Sequence, residues 1–390
     1  MSFKALGVCM GREERQALIN DIETMRGSKV ITYFTSSRPP LRIGIEVPDV
    51  REIYDHLLKI GNSEKIDLYI YSLGGAGNVP WALSNMIREF TDNFNVLVPS
   101  FAFSAATAIA LGANSIIMGK KGILGPVDPS VANDFNPVRG GQVRQISTED
   151  IGGYISLLRE KAELKDERNF AAALSNLCTT VEPLALGNAY RHYLKSRDDT
   201  RKLLELHMDP NEENMTIEGI VETLIEKLYY HGHHISRQEA KDIGLKIQKA
   251  ESIKAEDKDL DQLMWKLFLD YEEELKMLNP YKDEASGDDD HRIIPGKFIE
   301  SNGTTSAFVF EQEFHKMKVP DGTFFTQMST QKGEILALAI PLPNGNFQLI
   351  PYILKNGNPQ LINNVMYKKK EIPYWKKFNS DEELYGTHEN

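Results

Sequence analysis

Cysteine is nearly absent from the chain: Cys9 and Cys178 are the two among 390 residues. Two cysteines can build neither a disulfide framework nor a four-thiolate zinc site. Nothing therefore points to an oxidising compartment, and a cytoplasmic location is expected. Positive charge is also in deficit, with 45 Lys and Arg against 56 Asp and Glu, a formal net charge of −11. That balance argues against a general nucleic-acid binder, and no nucleic-acid partner is expected. The basic stretch Lys368, Lys369, Lys370, Trp375, Lys376, Lys377 is expected to be a solvated tail. Charge is missing altogether between Asn93 and Gly119, and Val96 to Ala113 is nearly long enough to cross a bilayer. Pro99, Ser100, Ser104, Thr107 and Gly112 punctuate that run, which reads better as a buried strand, a turn and a buried helix. No membrane span is expected. An export signal is not expected either, because the apolar stretch Ala5 to Met10 is short and meets Arg12, Glu13, Glu14 and Arg15 directly. No internal repeat is evident.

What is present fits an ordinary globular protein of two or three domains, soluble and with ample chain for a large core. The first two-thirds alternate strand and helix signals. Lys29 to Ser36, Ile66 to Ser72, Asn95 to Pro99 and Ser115 to Met118 are strand-like. Helices are predicted from Asp49 to Ile60, from about Val79 to Phe90 and from about Ser104. The order β-α-β-α-β-α-β predicts an α/β fold with an open, mainly parallel sheet and right-handed crossovers. From Ser147 to about Asn279 the pattern is helical. Ser236 and Glu239 form a predicted capping box, with Gly244 placed to end the helix. A last apolar stripe, Leu260, Leu263, Met264, Leu267, Phe268, Tyr271, Leu275, Leu278, is expected to pack on the body of its own domain. Prolines, a glycine and Asp288, Asp289, Asp290 then suggest an exposed linker. Strand-like segments with turns at Asp321-Gly322 and Asn344-Gly345 follow. The expected division is an N-terminal segment 1–28, a main domain 29–279, an acidic linker 280–295 and a small β-rich domain 296–390 that carries no catalytic motif and offers a surface for a protein partner.

Two loops carry the chemistry. Ser72-Leu73-Gly74-Gly75-Ala76-Gly77 lies after a strand and before a helix, where consecutive glycines let backbone N–H groups converge on an anion or a developing oxyanion. Neither the Gly-Lys-Ser/Thr ending of a phosphate loop nor the dinucleotide G-x-G-x-x-G pattern is present. In the second loop, Pro99 to Ala108, Ser104 stands at the start of a helix of small residues. It is either an N-cap or a nucleophile whose oxyanion meets the N–H of Ala105. A serine nucleophile needs a base and commonly an orienting carboxylate. Asp128 lies between Pro126 and Pro129, and His231, His233 and His234 cluster at a helix end. Three histidines also raise a metal, but the nearby acidic partners of zinc patterns are missing, so no metal and no cofactor are expected.

Together, LYIYSLGGAGNVPWAL at 68–83, the serine loop at 99–113, ILGPVDP at 123–129 and LIEKLYYHGHHISRQEAKDIGL at 224–245 resemble the serine dehydrogenase proteinase family. That family belongs to the Clp-protease/crotonase superfamily and is related to signal peptide peptidase. The resemblance covers about Lys29 to Leu245, with Leu73 and Ala106 departing from the usual proline and glycine. It implies a Clp-protease/crotonase-like parallel β-sheet with flanking helices, and serine peptidase activity on peptides or polypeptides in a homo-oligomer. It also implies Ser104 as nucleophile, Asp128 as orienting acid, His231 as base with His233 as the alternative, and Gly74 or Gly75 with Ala105 as the oxyanion hole. The alternatives are a crotonase-type acyl-CoA enzyme using the same oxyanion hole, and a catalytically silent scaffold.

Overall fold

In the computed structural model the described residues are 11–127, 130–131, 135–136, 138–139, 142–143, 146–162, 166–228, 232–255, 257–281, 289–318, 320–330, 333–351, 365–380 and 383–384. Strand and helix alternate as the periodicity predicts. The elements are α1 (Arg12–Arg26), β1 (Lys29–Thr35), α2 (Val47–Ile60), β2 (Ile66–Tyr71), α3 (Val79–Arg88), β3 (Phe94–Val98), the short β4 (Phe101–Ala102), α4 (Ala105–Leu111), β5 (Ser115–Met118) and the short β6 (Ile123–Leu124). Helices α5 (Thr148–Ser156), α6 (Glu167–Cys178), α7 (Pro183–Glu205), α8 (Asn214–Glu222) and α9 (Arg237–Ile243) precede β7 (Ile247–Lys249) and α10 (Leu260–Glu274). The C-terminal part holds β8 (Asp289–Ser301), β9 (Thr304–Lys318), β10 (Phe324–Thr330), β11 (Gly333–Pro341), β12 (Phe347–Pro351) and β13 (Val365–Phe378).

Strands β7, β5, β3, β2 and β1 are parallel neighbours in that order. β2 is buried along its whole length and β1 from Val30 onward, as expected of strands covered on both faces. Side chains alternate between the two layers. Ile31 and Tyr33 pack with Ile53 of α2, Leu83 of α3 and Ile109 of α4. Val30 and Phe34 pack with Ile19 of α1 and Leu263 and Leu267 of α10. Each such side chain contributes about 1.5–3 kcal/mol through burial. The α10 stripe thus faces the body of its own fold, as predicted. The capping box at α9 is also present, with Ser236 Oγ accepting from the N–H of Glu239, and Gly244 ends the helix in the left-handed region at φ 109°.

The C-terminal part differs from the expectation. β8 pairs antiparallel with β1, Ile31 opposite Ser301 and Thr35 opposite Lys297, and β9 and β13 continue the same sheet. The expected boundary between 295 and 296 therefore falls inside a strand of the central sheet. Of the expected N-terminal segment 1–28, residues 1–10 lie outside the described residues, and α1 is not separate from the main body, since it packs its Ile19 and Ile22 beneath that sheet. Of the expected linker 280–295, residues 282–288 lie outside the described residues and 289–295 belong to β8; composition could not reveal that β1 needed a partner on its outer edge. Of the described C-terminal strands, β10, β11 and β12 form a small sheet of their own, with turns at Gly322 and Gly345, both at positive φ.

A buried charge cluster fastens these strands to the N-terminal helix. Arg15 donates to Glu300 of β8 at 2.9 Å, to Asp270 of α10 at 3.0 Å and to Glu274 at 3.2 Å. Its guanidinium lies over the rings of Tyr271 and Phe298. Tyr271 and Thr305 hydroxyls also donate to Glu300. Burial pushes the Asp270 carboxyl up to about 7, against the opposing pull of Arg15.

Candidate active site

The glycine loop and the serine loop are stitched together through Ser72. Its N–H donates to the Phe101 carbonyl at 3.1 Å, and its carbonyl accepts from the N–H of Phe103 at 3.0 Å. The pairing brings Gly74 against Ser104, so that a Cβ at Gly74 would lie 2.9 Å from Ser104 Cβ. Gly74 adopts φ 107°, open to glycine and strained for other residues. The two glycines are held differently. The N–H of Gly74 donates to the buried Ser72 hydroxyl at 3.1 Å. The strap 44–46 flanks Gly75 on both sides, Ile45 N–H donating to the Gly74 carbonyl at 2.9 Å and Ala76 N–H to the Ile45 carbonyl at 2.8 Å. The N–H of Gly75 itself, like that of Ala105, has no hydrogen-bond partner among the described residues.

Ser104 is half-buried and has φ 52°, ψ −115°. A non-glycine residue there is strained by about 1–3 kcal/mol, and such strain clusters at functional sites. Its side chain makes no capping bond to the helix it precedes, so the N-cap account does not describe it. The fold holds the turn from below. Every residue of α4 is buried, and the small side chains of Ala105, Ala106 and Ala108 let the helix sit close under the sheet. The hydroxyl of Thr107 donates to the Ala102 carbonyl at 2.6 Å and accepts from the N–H of Gly125 at 3.1 Å.

Asp128 and His231 lie outside the described residues. Their flanks are described, and they converge on the serine loop. Gly125 packs so closely that a Cβ there would be 3.1 Å from the Phe103 ring. Leu124 and Ile235 exchange backbone hydrogen bonds of 3.0 and 2.9 Å, and the N–H of Val127 donates to the Leu224 carbonyl at 3.1 Å. The Val127 carbonyl in turn accepts from Ser196 Oγ at 2.9 Å. The residue before position 128 and the helical segment leading to position 231 are thus bonded to one another.

Of the described histidines, His233 is taken up by the capping box of α9, its Nε2 lying 2.7 Å from Glu239 Oε1. His234 stacks on Phe103 and lies against Phe101, ring centroids 5.2 and 5.7 Å apart. Phe103 immediately precedes Ser104, and this aromatic contact had no signature in the spacing of the residues. His56 and His207 are structural: burial lowers both to about 4. His56 bonds Ser301 and Ser306, and His207 the Leu111 carbonyl. Among the described residues the side chains that converge as metal ligands could are His291, Glu311 and Glu313, on β8 and β9 rather than on either loop.

The close fit around Gly75 is testable by itself. A Cβ on Gly75 would lie 2.1 Å from the Ile45 carbonyl oxygen, whereas one on Gly77 meets nothing within 4 Å. Gly75→Ala should lower the unfolding free energy by about 1–3 kcal/mol, the usual cost of overpacking. Gly77→Ala should not lower it. Urea unfolding of the two variants checks this, and equal stability would mean the strap does not constrain the loop.

Residues 7–160 match a family model described as ClpP-like SDH-type serine proteinase. The matched segment contains both loops and position 128, and stops before the histidine cluster. Two proteins of Methanocaldococcus jannaschii are similar to this chain. The uncharacterized protein MJ1495 is 30% identical over 124 residues, covering 30% of this chain and 42% of that protein. The uncharacterized protein MJ0137 is 29% identical over 123 residues, covering 30% and 43%. The chain thus spans less than half the length of the curated relatives it matches.

Proposed function

We propose, from the match of residues 7–160 to the model of ClpP-like SDH-type serine proteinases, that the chain is a serine peptidase with Ser104 as its nucleophile. The observation that carries this reading is the backbone of Ser104, held at φ 52° with its hydroxyl uncommitted to the helix. Ser104 Oγ attacks the carbonyl carbon of a peptide bond while His231 takes the hydroxyl proton. Asp128 orients the imidazole and stabilises its charged form. The tetrahedral oxyanion receives the N–H groups of Gly75 and Ala105, which form no other hydrogen bond among the described residues. His231 then delivers the proton to the leaving amine, and water releases the acyl group from Ser104 by the reverse route. Gly74 serves differently. Its N–H is already given to Ser72, so it shapes the loop and leaves the oxyanion to Gly75.

The test is labelling with a fluorophosphonate, followed by mapping of the adduct. The adduct should sit on Ser104, and an adduct on any other residue overturns the assignment. Asp128→Asn should lower turnover by roughly 10⁴-fold with folding intact, because it presents the wrong imidazole tautomer. His231→Ala should match the loss of the serine, and the double variant should be hardly worse, since members of one catalytic unit are not additive. His233→Ala should keep most of the turnover. Steady-state kinetics on a fluorogenic peptide reads all of these, and an active His231→Ala would remove that residue from the base role.

A further inference from the structure

We infer that Lys297, a residue of β8, is a positioning residue for the candidate oxyanion loop, so that the C-terminal strands set the geometry of a site to which they contribute no reacting group. The inference rests on the peptidase reading above. Its starting point is a lysine with no exposed side-chain surface. A buried ammonium is retained only when its charge and its donors are satisfied. Lys297 Nζ meets both carboxylate oxygens of Asp49 at 2.8 Å and the carbonyl of Gly44 at 3.1 Å. Glu46 lies 3.7 Å away, and the rings of Phe308 and Trp375 face the ammonium at 5.0 and 5.6 Å.

The contacts with Gly44, Glu46 and Asp49 bear on the strap 44–46. Gly44 is its first residue. Asp49 accepts from the N–H of Glu46 at 2.8 Å, closing the capping box at the start of α2, and also accepts from the Tyr33 hydroxyl. Between Gly44 and Glu46 stands Ile45, whose N–H and carbonyl hold Gly74 and Ala76. One ammonium on β8 thus anchors both ends of the three-residue strap whose middle residue fixes the glycine loop. A Cβ at Gly44 would lie 2.9 Å from the Gly74 carbonyl oxygen, so strap and loop have no slack between them. The strap thus fixes the peptide groups on either side of Gly75. The chain therefore carries its candidate oxyanion donor on an element tied to Lys297 of β8, outside the segment that matches the family model.

The experiment compares wild type, Lys297→Met and the charge-neutral double variant Lys297→Met/Asp49→Asn. On the wild type, fluorophosphonate labelling of Ser104 is scored first, and an unlabelled wild type overturns the peptidase reading and this inference together. With a labelled wild type, Lys297→Met should lower kcat on a fluorogenic peptide by about 10²-fold or more, the scale of one lost oxyanion donor, with KM within about twofold. The double variant removes the uncompensated buried carboxylate, so its melting temperature should recover toward wild type while kcat stays low. It also serves if Lys297→Met does not fold. Backbone amide exchange supplies a readout independent of activity: Ile45 and Ala76 should exchange about tenfold faster in either variant, with β2 and β3 unchanged. Full kcat in the refolded double variant, or unaltered exchange at Ile45 and Ala76, overturns the positioning role and leaves the Ser104 assignment standing.

Discussion

Replacing Ser104 with alanine should lower peptide turnover by about 10⁶-fold, the scale seen when a triad serine is removed from a serine protease. The fold should not suffer. Ser104 caps nothing with its side chain, so the hydroxyl contributes little to stability. The backbone allows a sharper version of the same test. Alanine at φ 52°, ψ −115° carries the same Cβ strain as serine, whereas glycine carries none. Ser104→Gly should therefore be as inactive as Ser104→Ala yet more stable by about 1 kcal/mol or more, the lower end of the strain at such positions. Denaturant unfolding measures the difference and the peptide assay measures the loss. If the two variants unfold at the same denaturant concentration, the turn stores no strain. If Ser104→Ala still turns over peptide at the parent rate, Ser104 is not the nucleophile.

Ending the chain at residue 288 should abolish the fold, the second of the two largest effects. The cut removes β8, and with it the partner of Ile31 to Thr35 along the outer edge of β1. It removes Glu300, which pairs with Arg15 at 2.9 Å, and Lys297, which pairs with Asp49. Breaking a buried ion pair from one side costs about 3–5 kcal/mol. Two such losses, with the apolar contacts of Phe298 and Ile299, are comparable with the 5–15 kcal/mol that a whole domain has in hand. The bared edge strand is in addition a template for aggregation. Expression, size exclusion and thermal melting by circular dichroism decide the matter. A truncated chain that elutes as a folded species with the parent's melting temperature would mean that residues 289–390 are dispensable after all. The small β10–β12 sheet is a better candidate for removal, since it lies outside the eight-stranded sheet.

The sequence by itself determined the parallel core and singled out the two loops to which the proposed chemistry is assigned. Strands at Lys29, Ile66, Asn95 and Ser115 are legible because a strand buried on both faces is a run of β-branched and aromatic residues, whatever surrounds it. The helix stripes, the capping box at Ser236 and the glycine end at Gly244 are legible because their causes are local, within one or two turns of chain. The two loops were legible for the same reason: a glycine pair after a strand and a serine before a helix are contiguous patterns. What decides between the accounts of each loop is not contiguous. Whether Ser104 caps its helix or stands strained above it depends on backbone angles that Ser72, Phe101 and Phe103 impose from two different strands. Which glycine N–H has no partner among the described residues depends on a hydroxyl two residues away and on a strap thirty residues upstream. The stacking of His234 on Phe103 joins segments that share no periodicity. The place of β8 in the central sheet escaped the sequence for an electrostatic reason as well. Charge in a sequence ordinarily reads as solvent exposure, and β8 carries Lys297 and Glu300. Only the tertiary structure supplies Asp49 for the one and Arg15 for the other. Those partners, 248 and 285 residues away along the chain, make β8 a strand of the central sheet beside β1.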